Sequence, residues 1–377
     1  MQVNSLIADI MDKELFLEML GIDSTSGKEA GFADFLAERL LDAGCSVEKY
    51  DVGDGTVNLL FCWGEPEIVF CSHLDTVPPY IPPTYDEESG VICGRGSCDA
   101  KGQIFAMYEA CKTLKDRGYE GFGLLLLAGE ETGSFGAKAF REQHPGAEWV
   151  IVGEPTDNCM ASASKGTKSF EVTFEGKAFH SGYPQYGISA VEMFNDFVNA
   201  LRSIGFPNDE VLGDTTWNIG KLVSDNPQNI LSDRLSCRVY FRTTFESDEM
   251  VCNVMRNIAG ENARLRFGRR RVQDGSDIVG KDVAMWQKMM TVKEFGGDTP
   301  TRYETLEGFE VKPVAFGSDA PQLTNFRRKT LCGPGSILVA HRPEEHIALA
   351  DLETAKENYV RMYETLVNTK ALTSPEQ

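Results

Sequence analysis

The chain has 377 residues, 42% hydrophobic and 25% charged, with a net charge of −20. This is ordinary globular composition, with length enough for one large domain or two ordinary ones. The negative field excludes a nucleic-acid partner, and without an apolar run of about 18 residues a membrane-spanning helix is excluded too.

The N-terminal stretch MQVNSLIADIMDKELFLEML carries acidic residues and no basic stretch before an apolar run, so no secretory signal is read there. The ten cysteines form no CxxC pair and are expected as reduced thiols in a cytoplasmic protein. Phe32, Phe35, Leu36 and Leu40 recur at helical spacing, and Gly44 punctuates the end. Residues 58–63 and 67–75 read as strands, 103–117 as a helix, 124–128 as a buried strand, 134–143 as a helix and 149–152 as a strand. Such alternation predicts a largely parallel sheet covered on both faces.

The middle changes rhythm. A strand at 168–175, a helix at 188–204, strands at 216–223 and 234–243, a helix at 248–258 and a strand at 263–272 give the order βαββαβ, a ferredoxin-like pattern. The basic cluster Arg269, Arg270 and Arg271 reads as the solvated edge of its last strand. A helix at 283–290, a strand at 310–316 and a long helix at 349–367 resume the α/β pattern. The expected fold is α/β: a mainly parallel catalytic domain (1–166 and 279–377) with an inserted α+β domain (167–278).

The chemistry gathers at strand ends, where open α/β sheets bind their ligands. His73 ends the apolar run IVFCSH, and Asp75, two residues on, can hold its imidazole in one tautomer. Asp99 lies in the glycine-rich turn GRGSCDAKG before a helix. Glu130 and Glu131 follow LLLLAG, an arrangement costly without nearby cations. Glu154 follows VIVG, and His341 ends GPGSILVAH; His346, after two glutamates, fits a solvated loop. Two imidazoles with several carboxylates and no thiolate suit two zinc ions, or cobalt or manganese.

In order, SHLDTVP, GRGSCDAKG, AGEETGS, GEPT, FHSGYPQYGISA and GPGS with AH resemble the zinc aminoacylase and carboxypeptidase family of metallopeptidases, from about residue 70 to 350. The resemblance implies that His73, Asp99 and Glu154 hold one zinc and Asp99, Glu131 and His341 the other, Asp99 bridging. It implies that Asp75 supports His73 and that Glu130 is the general base. It further implies that His180 stabilises the oxyanion in a partner subunit of a homodimer formed through the inserted domain, and that Asn229, Arg242 and Gly335 contact substrate. Ser72 and Ala100 depart from the residues usual in the family beside its ligands. GEPT and the compact length are most similar to the acetylornithine deacetylase branch. The expected reaction is therefore hydrolysis of an N-acyl amino acid, with a dipeptidase or carboxypeptidase using the same machinery as the alternative.

Overall fold

The structure, a computed structural model, describes residues 11–41, 45–53, 55–258 and 289–373. Contacts divide the chain into one unit of Met1–Ser162, Arg302–Lys312 and Ser318–Gln377, and a second of Ala163–Thr301 and Pro313–Gly317. Helices α1 (Lys13–Leu20) and α2 (Ala30–Arg39) lead into β1 (Ser46–Gly53), β2 (Thr56–Trp63) and β3 (Ile68–His73). The hairpin β4 (Thr84–Asp86) and β5 (Val91–Cys93) precedes α3 (Lys101–Asp116), then β6 (Phe122–Leu127), α4 (Phe135–Gln143), β7 (Trp149–Val152) and β8 (Met160–Ser164). The second unit follows as β9 (Gly166–Glu175), α5 (Ala190–Arg202), β10 (Thr216–Val223), β11 (Arg234–Thr243), α6 (Asp248–Ile258) and β12 (Met290–Gly296). Strands β13 (Thr301–Arg302), β14 (Val311–Val314), β15 (Arg328–Leu331) and β16 (His346–Ala348) lead to the long helix α7 (Leu349–Thr373).

The main sheet of the first unit has the order β1-β2-β6-β3-β7-β15. Strands β6, β3, β7 and β15 run parallel, whereas β2 is antiparallel to β6 and β1 to β2. The sheet is thus mixed, because the strand at 56–63 joins through hairpin-type pairing on one side. Every residue of β3 and β6 is buried, as strands covered on both faces require. Their apolar side chains meet α3 and α7, with Phe70, Phe105, Phe122 and Tyr359 inside one core. Phe16 of α1 stacks on Phe105 at 5.0 Å. Lys101, buried at the start of α3, donates to the Met19 and Ile22 carbonyls and lies 4.2 Å from the Phe32 ring centroid, which ties α3 to the N-terminal helices. No helix among the described residues is long and apolar enough to cross a membrane.

The sheet of the second unit has the order β10-β11-β9-β12, with each neighbouring pair antiparallel. With α5 and α6 this is the βαββαβ arrangement expected. Both helices turn apolar faces, including Phe197, Leu201, Val251 and Met255, toward Phe170, Val172 and Phe174. The strand expected at 263–272, with its arginine cluster, lies outside the described residues. The fourth place in the sheet is taken by β12, whose first residue, Met290, ends the stretch expected to be helical; 283–288 of that stretch also lie outside the described residues. β12 escapes notice in sequence because most of its side chains are exposed or half-exposed on an edge. Pairing of β12 with β9 groups residues up to Thr301 with the second unit.

Candidate metal centre

The four parallel strands all point their carboxyl ends the same way, and each leads directly into a candidate ligand. His73 is the last residue of β3, Glu130 and Glu131 follow β6, Glu154 follows β7, and the loop after β15 runs to His341. Asp99 stands just before α3, where the unpaired amide ends favour negative charge.

These residues converge. His73 Nε2 lies 3.0 Å from Asp99 Oδ1, while His341 Nε2 lies 3.2 Å from Asp99 Oδ2 and 2.9 Å from Glu131 Oε1. Asp99 therefore presents one oxygen to each imidazole. On the far side of its ring, His73 Nδ1 sits 2.9 Å from the Asp75 carbonyl and 3.5 Å from its carboxylate. Asp75 is fully buried and accepts from Ser26 Oγ (2.8 Å) and from the backbone N–H groups of Glu130 (2.9 Å) and Glu131 (3.2 Å). A single carboxylate thus orients the first histidine and the Glu-Glu turn together. The His73 side chain is 1% exposed and that of His341 49%, so the centre opens to solvent on the His341 side.

The electrostatics describe a site short of positive charge. Burial pushes the Glu130 carboxyl well above its usual range; His73 opposes this, while Asp319, Glu131 and Asp99 add to it. Burial and then Glu130 do the same to Glu154. Burial alone would depress His73, but Asp75 and Asp99 hold its pKa well above the ordinary value. Burial would raise Asp99, yet His341 and His73 pull it well below the usual carboxylate range. Asp99 and Glu131 push His341 up to about 10.

This donor set fits divalent cations. One ligand atom each from His73, Asp99 and Glu131 falls within 4.8 Å of the others. Ligands around a tetrahedral zinc, with bonds of about 2.0–2.1 Å, stand roughly 3.3 Å apart, close to the His–carboxylate separations here.

Of the remaining expected residues, only Gly335 lies in this unit. It is buried with φ +74°, and a Cβ there would come 2.6 Å from the sulfur of Cys98, next to Asp99. His180, Asn229 and Arg242 belong to the second unit. His180 is exposed in a turn, its Nδ1 accepting the Gly182 N–H at 3.0 Å, and its backbone bridges to Ile230 beside Asn229. Arg242 is half-buried on β11, its guanidinium carbon 5.1 Å from the Tyr240 ring centroid. His346 lies in β16 with Nδ1 on the Glu344 carbonyl.

Sequence reasoning missed Ser26, Asp319 and Glu345. Asp319 is 2% exposed and acts electrostatically on both Glu130 and Glu154. Glu345, next to the His346 expected in a solvated loop, is 1% exposed. The loop expected there is instead anchored, because Glu345 pairs with the buried Arg95. A polar turn after an apolar strand, as in GSDAP after VKPV, is the only sequence signal that marks Asp319.

Residues 69–365 match the sequence model of Peptidase family M20/M25/M40. The chain is 30% identical to a probable carboxypeptidase of Aspergillus niger, over 96% of this chain and 92% of that protein. Its fold is similar to that of a tripeptidase from Staphylococcus aureus (TM-score 0.74, 19% identity, 93% of this chain and 96% of that one). It is also similar to a Bacillus subtilis protein described as a dinuclear metal-binding peptidase (TM-score 0.64, 13% identity, 94% and 98%). None of these three resemblances points to acetylornithine deacetylase in particular.

Proposed function

Since the chain belongs to Peptidase family M20/M25/M40, and is a metallopeptidase by that membership, we propose that it acts as a carboxypeptidase or dipeptidase on short peptides with a free C-terminus. The observation that carries this reading is the junction at Asp99, which offers one oxygen toward His73 and the other toward His341 and Glu131. The name of the Aspergillus niger relative supports the peptidase over the deacylase expected from GEPT.

Two zinc ions, or cobalt or manganese, would sharpen a water nucleophile and polarise the scissile carbonyl. Glu130 takes a proton from the attacking water and returns it to the leaving amine. Burial pushes its carboxyl above the ordinary range, the direction a proton carrier requires. Asp75 fixes the His73 ring and the Glu130 backbone, so the base and a ligand keep one relative geometry. Arg242 grips the substrate's α-carboxylate in a bidentate way, and Asn229 and Gly335 are further substrate contacts by the family resemblance. His180 stabilises the tetrahedral oxyanion of a partner subunit, which makes the working form a homodimer.

A substrate panel with zinc, cobalt and manganese tests the reading. Dipeptides and tripeptides with free carboxylates are expected to turn over at least tenfold faster than C-terminally amidated peptides, N-acetylornithine or N-succinyl-diaminopimelate. Faster release from N-acetylornithine than from any peptide restores the deacylase.

A further inference from the structure

Asp99 and His341 approach each other from segments far apart in the chain, and a carboxylate outside the ligand set fastens those segments together. Glu345, four residues past His341, is 1% exposed. Its Oε1 accepts the backbone N–H groups of Gly96, Cys98 and Asp99, each at 3.0 Å. Its Oε2 pairs with the guanidinium of Arg95, itself 2% exposed. That guanidinium also donates to the carbonyls of Pro79 (3.2 Å) and Arg342 (3.3 Å). Antiparallel pairing of β16 with β5 sets His346 opposite Cys93, which brings Glu345 alongside Gly94, whose N–H donates to the Glu345 carbonyl at 3.0 Å.

The Asp99 turn has internal bonds of its own, Ser97 N–H to the Gly94 carbonyl at 3.1 Å and the Lys101 and Gly102 N–H groups to the Gly96 carbonyl at 2.9 and 3.3 Å, which shape the turn without setting it against the His341 loop. Gln103 adds a neutral tie through the Cys98 (2.7 Å) and Pro334 (3.2 Å) carbonyls. The bonds to Glu345 are charge-assisted and buried, about twice as strong as neutral ones. A buried ion pair serving only general stability could stand anywhere in the core. Here the acceptor contacts fall on the residues leading to Asp99, and the acceptor shares a turn with His341.

We infer that Glu345 is a positioning residue that sets the Asp99 carboxylate between His73 and His341, and so governs how tightly the metal pair is held. The inference rests on the metallopeptidase reading of the centre. Glu345→Gln keeps the side-chain volume and one acceptor oxygen but removes the charge; Glu345→Ala removes both.

The test is zinc binding by the full chain in chelator competition, read beside the circular dichroism spectrum and the exchange rates of the Gly96, Cys98 and Asp99 amides. Glu345→Gln is expected to keep the wild-type spectrum, exchange those amides faster and bind zinc at least tenfold more weakly, with a greater loss in Glu345→Ala. Folded variants that hold zinc as tightly as wild type overturn the inference, whatever their amide exchange. Failure of both variants to fold also overturns it, assigning the cluster to stability alone. Wild-type protein that takes up no zinc defeats the underlying metal reading, an outcome distinct from equal binding by wild type and variants.

Discussion

Asp75 accepts the backbone N–H of Glu130 at 2.9 Å on the same carboxylate that faces the Nδ1 of His73. Asp75→Asn replaces an acceptor on this side with an amide that can present a donor to the Glu130 and Glu131 N–H groups. Turnover is expected to fall by about 10- to 100-fold, the usual loss when the partner of a metal-binding histidine is changed. Steady-state kinetics with metal analysis check this, and turnover within twofold of wild type removes Asp75 from its orienting role.

Glu130→Ala takes away the proposed proton carrier and leaves Glu131, Asp99 and both histidines in place. Its kcat is expected to drop by about 10²- to 10⁴-fold with the full complement of zinc retained. Near-normal turnover refutes the base assignment, and zinc loss recasts the residue as a ligand.

His180 is exposed and belongs to the second unit. His180→Ala is expected to lose about 10²-fold or more in kcat while keeping both metals. Mixing it with Glu130→Ala protein should restore part of the activity, because each subunit would then lack a different component. No recovery on mixing counts against an exchange of residues between subunits.

The metal-free protein should lose stability as pH rises. His341, raised from its ordinary 6.5 to about 10, contributes stability that is complete below 6.5 and gone above about 10. Glu130 and Glu154, raised well above 4.5, act in the same sense, since the fold favours their protonated forms. Asp99, lowered from 3.8, has the opposite sign, and its contribution disappears only as pH falls through the acid range. The thermal midpoint of chelator-treated protein is therefore expected to fall between pH 6.5 and 10. Zinc affinity should climb over the same range as His341 sheds its proton to become a ligand. A midpoint that rises or stays level across this window contradicts the charge balance described for the centre.

The strands that build the centre were legible because burial on both faces writes itself as unbroken apolar runs: IVFC for β3, LLLL for β6 and WVIV for β7. The candidate ligands His73, Glu131 and Glu154 stood out because they lie at or just past these runs, whereas Asp99 and His341 sit on loops and were picked out by the motifs around them. Strand β1, SVEKYDVG, gave no such sign, because it lies on the sheet edge with exposed or half-exposed side chains throughout. Its neighbour β2 was seen, but its antiparallel direction was not, since strand direction leaves no mark in composition. Glu345 was hidden for a different reason. A Glu-Glu pair in a loop reads as solvated, and its burial depends on Arg95, 250 positions away.

The placement of β15 beside β7 has a consequence for how the chain is made. β7 ends at Val152, and its sheet partner begins only at Arg328. At roughly 5–20 residues per second, a ribosome takes on the order of 10–30 s to deliver the intervening stretch. During that interval the nascent polypeptide exposes one flank of β7, and His73, Asp99, Glu131 and Glu154 have emerged without His341. Assembly of the cradle is therefore a late event in synthesis, waiting on the arrival of β15 and His341.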